Sequence, residues 1–271
     1  MISKSFYVIL LLSCVSLAER EAVRPSCGRI AYRYDMVSNI EFLYEDDDII
    51  VCVKPAGMPS QGDKKGNKDL VRELKKHIVV EALKRKIKLA GEPYVAVVHR
   101  LDRNVRGIMV YAKTKRAAAG LSKQINGNKF AKIYMAVVSF DPDKEEPQIG
   151  VKKNKVSYLL HDKAKNVSAV VDEGTKEAER AELNYEVVMV AGNKALVRVE
   201  LITGRHHQIR LQMSDEFNGI VGDTKYNDDY RNIEGWTGLA LEAVMLSFIH
   251  PVSGKKLSFS TSAIGKEFGE I

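Results

Sequence analysis

The sequence predicts an α+β fold built around a large, mainly antiparallel sheet flanked by helices. Three observations carry that reading. Short apolar runs bounded by Gly, Pro, Asn or Asp recur from residue 40 to residue 260, the signature of meander-connected strands. Few stretches carry apolar residues at helical spacing. An apolar share of 45% in 271 residues is enough to bury a full core.

The elements follow in chain order. Residues 40–44 and 49–53 read as strands joined by the acidic turn 45–48, and Lys54-Pro55-Ala56-Gly57 ends the second of them. A Gly- and Lys-rich loop spans 61–68. Asp69 then caps a helix with Leu70, Leu74 and Ile78 on one face and Leu83 and Ile87 further along, stopped by Gly91 and Pro93. Its other face carries Arg72, Lys75, Lys76, Lys84, Arg85, Lys86 and Lys88, a pattern that a solvated face explains as well as an RNA backbone does. Residues 95–98 read as a buried strand, 99–107 as a polar loop and 108–112 as the next strand. A second helix runs from the cap Thr114 to Asn126-Gly127. Strands follow at 133–138, around Leu183, Tyr185 and Val187, and at 196–202. The charged segment 141–155 reads as a surface connection. A hairpin of 239–249 and 256–260 closes the chain, with Ser253-Gly254 at its tip.

The 42 Lys and Arg outnumber the 35 Asp and Glu, giving +7. That excess favours a polyanionic partner without specifying one. Cys14, Cys27 and Cys52 show no CxxC spacing, and the six histidines form no HExxH pair, so neither a disulfide framework nor a metal centre is expected. The first residues point elsewhere. Lys4, the apolar run 6–12 and Ser16-Leu17-Ala18 have the form of a signal peptide with its cleavage site, and Leu11-Leu12-Ser13-Cys14 that of a lipoprotein box. The other reading is a non-native leader ahead of Met36. The run is too short to span a bilayer.

Two segments carry chemistry. In His99-Arg100-Leu101-Asp102-Arg103-Asn104-Val105-Arg106-Gly107, basic residues flank a single carboxylate between two strands, which favours its ionised form. An Arg–Asp pair closing a loop is the plainer explanation of that segment taken alone. In Thr203-Gly204-Arg205-His206-His207-Gln208-Ile209-Arg210, a tight turn opens a helix near His206. Exposed N-terminal amides beside Arg205 suit a phosphate, and a capped helix with solvated arginines suits the same pattern.

Taken together, these segments resemble the motifs of RluA-type pseudouridine synthases. His99-Arg100-Leu101-Asp102 with Gly107 is similar to the family's HRLDxxTSG, and residues 203–210 to its TGRxHQIR. Lys132-Ile133-Tyr134 resembles KxY, Val221-Gly222-Asp223-Thr224-Lys225-Tyr226 contains GDxxY, and Phe248-Ile249-His250-Pro251 matches FxHP. Five elements occur in the family's order over nearly the whole chain beyond the leader.

The resemblance implies a pseudouridine synthase fold with a central catalytic cleft over 36–271, residues 1–35 being a signal-like or non-native leader. It implies isomerisation of uridine to pseudouridine in rRNA or tRNA. That reaction moves the ribose bond from N1 to C5 without redox change, so no cofactor and no metal are expected. It casts Asp102 as the nucleophile, Tyr134 as the residue that stacks on the base and assists loss of the C5 proton, and Arg210 as the partner of Asp102. Attack at base C6, attack at ribose C1′ and a glycal route all remain open. Arg100 would fill the gap left by a flipped uridine. Arg103, Arg106, Arg205, His207 and Gln208 would contact RNA, Arg106 through a phosphate. Two departures stand out: Val105-Arg106 replaces Thr-Ser, and Leu241-Glu242-Ala243 replaces LHA. The implied protein is a cytoplasmic monomer with no membrane association. The alternative is a non-catalytic RNA-binding or ribosome-associated protein that retains the fold.

Overall fold

The computed structural model describes residues 33–34, 40–62, 68–143, 146–231, 233, 238–265 and 268–269. Thirteen strands form one mixed sheet: β1 (Arg33–Tyr34), β2 (Glu41–Glu45), β3 (Ile49–Lys54), β4 (Ala96–Val97), β5 (Arg106–Ala112), β6 (Ala131–Ser139), β7 (Lys152–Asp162), β8 (Val167–Val171), β9 (Glu179–Ala191), β10 (Lys194–Leu201), β11 (Gly219–Ile220), β12 (Leu241–Ile249) and β13 (Lys256–Ser260). The helices are α1 (Leu70–Lys84), α2 (Lys115–Asn126) and α3 (Gln208–Glu216). The main path runs β1-β2-β3-β5-β12-β6-β10-β9-β7-β8, with β4, β11 and β13 attached to β5, β6 and β12. The two halves of the chain meet where β12 pairs parallel with β5, Glu242 opposite Arg106 and Ala243 opposite Gly107. The expected α+β sheet architecture is therefore observed.

Burial explains why β3 reads as an unbroken apolar run. Ile50 and Cys52 pack in the cluster that contains Leu70 and Leu74 of α1. Ile49, Val51 and Val53 pack in the cluster that contains Ala117 and Leu121 of α2. A strand covered on both faces has no polar side to alternate with. Gly107 permits the β5–β12 junction. Its φ is +150°, and a Cβ there would sit 2.4 Å from Ala243 Cβ and 2.5 Å from Ala243 O, so no side chain fits.

Three expectations need correction. Helix α1 stops at Lys84 instead of continuing towards Gly91. Lys86 adopts a left-handed φ of 58°, Lys86 N donates to Leu83 O and Ile87 N to Ala82 O, the paired bonds of a Schellman end. Leu83 and Ile87 consequently lie exposed, not on a buried face. Lys75, Lys76 and Lys84 of the basic face are tied to Glu92, Glu73 and Glu81. The stretch expected as a buried strand at 95–98 shortens to β4, half-buried at the end of β5.

The third correction is larger. The connection expected over 141–155 ends in strand β7, and β7 with β8 forms a hairpin at the sheet's far end. The first residues of β7, Lys152 to Lys155, are polar, so no apolar alternation marks them. Pairing with β9 and ion pairs from Lys153 to Glu216 and from Lys155 to Asp215 and Glu216 hold that stretch instead. The signal-like leader at 1–18 lies outside the described residues. Among those described, no helix is long and apolar enough to cross a membrane.

Candidate active site

Asp102 lies on the loop between β4 and β5, and that loop is fastened to the turn after β3. Ser60 Oγ donates to Leu101 O (2.8 Å) and accepts from Leu101 N (3.1 Å). Gly57 N donates to Arg103 O at 2.8 Å, and Arg103 Nε returns a bond to Gly57 O at 2.9 Å. Lys54, fully buried, spends its ammonium on three carbonyls: Pro55 O (2.9 Å), Met58 O (2.8 Å) and Arg103 O (3.0 Å). Burial lowers the Lys54 pKa to about 7, against the pull of Asp102. His99 faces inward and accepts from Val110 N at 3.1 Å. Burial lowers its pKa to about 3, with Lys132 adding to the shift, so this histidine acts as a neutral strap at the start of the loop.

The second element of the site is the turn into α3. Arg210, one turn into the helix, reaches Oδ2 of Asp102 through Nη1 at 3.2 Å. Its other two nitrogens engage Asp223 in a fork, Nε to Oδ2 and Nη2 to Oδ1, both at 2.7 Å. Asp223 is buried and also accepts from the backbone amides of Lys225 and Tyr226. A guanidinium clamped in this way has one direction left in which to point, and there it meets Asp102. Its face lies 5.2 Å from the ring centroid of Tyr226, within cation–π range.

Tyr134 enters from β6, which pairs with both β10 and β12. It is buried. Burial, reinforced by the charge of Asp102, holds its phenol well above the usual tyrosine range, so the free protein presents a neutral hydroxyl. The site thus combines an ionisable carboxylate at an accessible position, a fixed cation on one of its oxygens and an aromatic wall. Such a set can deliver a nucleophile to a planar base and stabilise its charged form.

The expected RNA contacts divide. Arg100 and Arg103 are exposed on the loop that carries Asp102. Arg205 is partly exposed but pairs with Glu179 at 2.7 Å and donates to Arg180 O. Two of the expected contacts are engaged within the protein itself. Gln208 is buried, its Oε1 accepting from Thr203 Oγ1 and Arg205 N and its Nε2 donating to Glu182 O and Gln212 Oε1. It locks the turn and has no donor left for RNA. Arg106 pairs with Glu242 at 2.8 Å, with Glu41 at 3.7 Å. His207, side chain only 7% exposed, sits 3.5 Å from Asp102. It also caps α3 in a left-handed conformation with no side-chain cap bond, so the expected helix start near His206 falls at Gln208.

Lys54, Ser60 and Asp223 were not identified from sequence as parts of the site. Asp223 had a signal, the GDxxY match. Ser60 bonds the backbone of Leu101, 41 residues away, and Lys54 reaches Arg103 O, 49 residues away, which no local pattern reveals. Asp46, Asp48 and His250 also converge, but each is engaged in hydrogen bonds, Asp48 Oδ1 accepting from Thr114 Oγ1 at 3.1 Å. Asp46 Oδ1 accepts from Asp48 N and Ile49 N, and His250 Nδ1 accepts from Val252 N and Ser253 N, leaving Nε2–H to donate to Asp46 Oδ2 at 2.8 Å. This cluster braces the β2–β3 turn against the turn after β12.

Residues 48–215 match the family model described as RNA pseudouridylate synthase. The chain is 31% identical over 238 residues to ribosomal large subunit pseudouridine synthase D of Zymomonas mobilis, covering 81% of this chain and 68% of that protein. It is 33% identical to the protein of the same name from Neisseria meningitidis, covering 89% and 62%. It therefore spans about two thirds of the length of these large-subunit relatives. Against tRNA pseudouridine synthase C of Haemophilus ducreyi it is 29% identical, covering 82% and 90%. Among solved structures, human RNA pseudouridylate synthase domain containing 4 shares the fold at a TM-score of 0.63 and 21% identity, covering 82% and 88%.

Proposed function

The chain belongs to the RNA pseudouridylate synthase family, which makes it an RNA-modifying isomerase by class, and we propose from that premise that it converts uridine to pseudouridine in structured RNA with Asp102 as its nucleophile. The observation that carries the reading is the carboxylate of Asp102, accessible on one side and fixed on the other by an Arg210 that Asp223 clamps. In the reaction the N1–C1′ bond of uridine breaks, the base turns, and C5 bonds to C1′. The C5 proton leaves and N1 gains one, so atoms and electrons balance without an outside reagent. A covalent carboxylate divides this exchange into two easier steps. Tyr134 stacks on the base as a neutral phenol. Arg100 and Arg103, exposed beside Asp102, meet the RNA around a flipped nucleotide.

The relatives' names divide between large-subunit ribosomal RNA and transfer RNA, and this chain acts on one of those two substrates. It works in the cytoplasm as a monomer without metal. Asp102→Asn tests the core of the reading. Tritium release from C5-labelled uridine in large-subunit and transfer RNA transcripts should fall by several orders of magnitude with RNA binding retained. Turnover within tenfold of wild type in a verified, undeamidated variant would sink the assignment. Binding without turnover in the wild-type chain would favour the retained-fold binding protein. Intact mass of the native protein reports its first residue, and cleavage after Ala18 or lipid on Cys14 would place it outside the cytoplasm.

A further inference from the structure

Two donors converge on one oxygen of Asp102. Arg210 Nη1 lies 3.2 Å and His207 Nε2 3.5 Å from the same Oδ2. Among the described residues no hydrogen bond falls on Oδ1. We propose that His207 is a positioning residue for the nucleophile: a neutral imidazole whose Nε2–H joins Arg210 in pinning Oδ2, so that Oδ1 is the atom presented to the substrate. This inference rests on the reading of Asp102 as nucleophile and deepens it. It removes His207 from the RNA-contacting set, as a side chain 7% exposed requires.

The hydrogen-bond pattern assigns the tautomer. Tyr226 Oη accepts from Ser168 N at 2.8 Å and has one proton to give. His207 Nδ1 lies 2.8 Å away. Taking the phenol as the donor to Nδ1 places the ring proton on Nε2, facing Asp102. A separation of 3.5 Å is long for an N–H···O bond, and catalytic contacts of this kind tighten when substrate binds.

The ring is held from its other face as well. His207 stacks on His206 at 3.8 Å and 27°, and His206 stacks on His161 of β7 at 3.8 Å and 20°. Ser168 Oγ and Asn166 Oδ1 partner the two nitrogens of His206 at 2.9 Å and 3.1 Å. Tyr226 meets His207 edge-on at 5.5 Å. The hairpin β7–β8 thus reaches the catalytic loop through three imidazoles.

Charge decides the protonation state. The groups facing His207 are Asp102 from its loop, Arg210 from α3, Lys225 and Tyr226 from the turn after β11, and His206 backed by His161. Burial, Arg210, His206 and Lys225 all oppose a proton on His207, and Asp102 alone favours one. The imidazole stays neutral through the working range and acts as a donor dipole, not as a second cation.

The test uses the full chain, single-turnover tritium release from large-subunit and transfer RNA transcripts, and a pH series. His207→Phe keeps the stacked ring and removes both nitrogens. His207→Gln keeps a donor. Tyr226→Phe frees the tautomer. His207→Phe should slow the maximal rate roughly tenfold, the scale of one hydrogen bond to a charged group, with unchanged RNA affinity. The acid limb of its rate profile should move to higher pH, because an N–H donor favours the ionised carboxylate. His207→Gln should recover part of the rate, and Tyr226→Phe should shift the profile the same way by less. If His207→Phe fails to fold, as a melt would report, the Gln and Tyr226→Phe variants carry the same comparison. Weakened RNA binding at an unchanged maximal rate makes His207 an RNA contact and overturns the proposal. Equal losses for Phe and Gln with an unmoved acid limb overturn it in favour of a purely structural ring. Asp102→Asn run alongside separates the two readings: residual turnover there overturns the nucleophile itself, whereas a dead Asp102→Asn beside a wild-type-like His207→Phe overturns only this inference.

Discussion

Arg106 and Glu242 face each other across the parallel β5–β12 junction, Nη1 to Oε2 at 2.8 Å. Both positions leave the family pattern, Arg106 in place of Ser and Glu242 in place of His, beside the neighbouring change of Thr to Val105. Each departure answers the other. Glu242 is buried, and besides Arg106 it accepts from Gly265 N at 2.9 Å and Ile264 N at 3.4 Å. The pair ties the strand leaving the catalytic loop to the segment after β13.

Removing one partner strands the other. Arg106→Ser should lower unfolding stability by about 3 kcal/mol, since it leaves a buried carboxylate without its cation. Urea unfolding measures this. Adding Glu242→His, which restores the family pattern at both positions, should return most of the loss, a coupling that a double-mutant cycle reads directly. RNA affinity across a salt series should keep its slope in Arg106→Ser, because this guanidinium neutralises a carboxylate and not a phosphate. A slope lower by about one unit would restore the phosphate contact.

The same pair shows what the sequence could and could not reveal. Strands β2, β3, β5, β6 and β12 are legible because burial writes itself as apolar runs, and Asp102, Tyr134 and Arg210 are legible through their motifs. The partner of Arg106 lies 136 residues away, and only the parallel register brings it near. The start of β7 escaped because Lys152 to Lys155 is a polar run with no apolar period, whereas the apolar residues of its second half and the Val-Ser-Ala-Val-Val run of β8 were present in the sequence and left unread. The end of α1 escaped because Lys86 takes a conformation usually marked by glycine.

Asp223 should matter as much as its exposure suggests it should not. Asp223→Asn halves the fork on Arg210 and unclamps the group that holds Asp102. The maximal rate should fall by about 10- to 100-fold, the range for hydrogen bonds between buried charged groups, with RNA affinity unchanged. Single-turnover rates beside equilibrium binding would show it. A parallel loss of affinity would mean that Arg210 faces the RNA instead.

Tyr134 offers a division of roles. Tyr134→Phe keeps the ring against the base and should leave binding intact while slowing product formation if the hydroxyl assists C5 deprotonation. Tyr134→Leu should in addition weaken binding, since stacking one base on an aromatic ring contributes roughly 1–3 kcal/mol. Identical behaviour of the two variants in both binding and rate would show that the ring and the hydroxyl have no separate tasks.

The last prediction concerns Lys54, the buried ammonium beneath the catalytic loop. Its pKa falls from 10.5 in an open chain to about 7 in the fold, with burial as the cause. Between those values the unfolded chain binds a proton that the folded protein does not, so unfolding free energy rises with pH across that window. Below it both states are protonated, and the cost of burying the charge is present in full. Relative to Lys54→Met, wild-type protein should therefore gain stability from about pH 7 upward, the difference steepening towards about 1.4 kcal/mol per pH unit. Urea unfolding of both proteins over that range measures it, and a flat difference would mean that Lys54 titrates like a solvated lysine. The site should feel the same change. A neutral amine has two N–H groups for the three carbonyls that the ammonium serves, and Arg103 O is the one on the catalytic loop. Lys54→Met removes all three bonds, leaving that carbonyl to Gly57 N alone. Its single-turnover rate should drop at every pH, with RNA affinity changed little, because the loop that carries Asp102 loses its anchor while the exposed arginines remain.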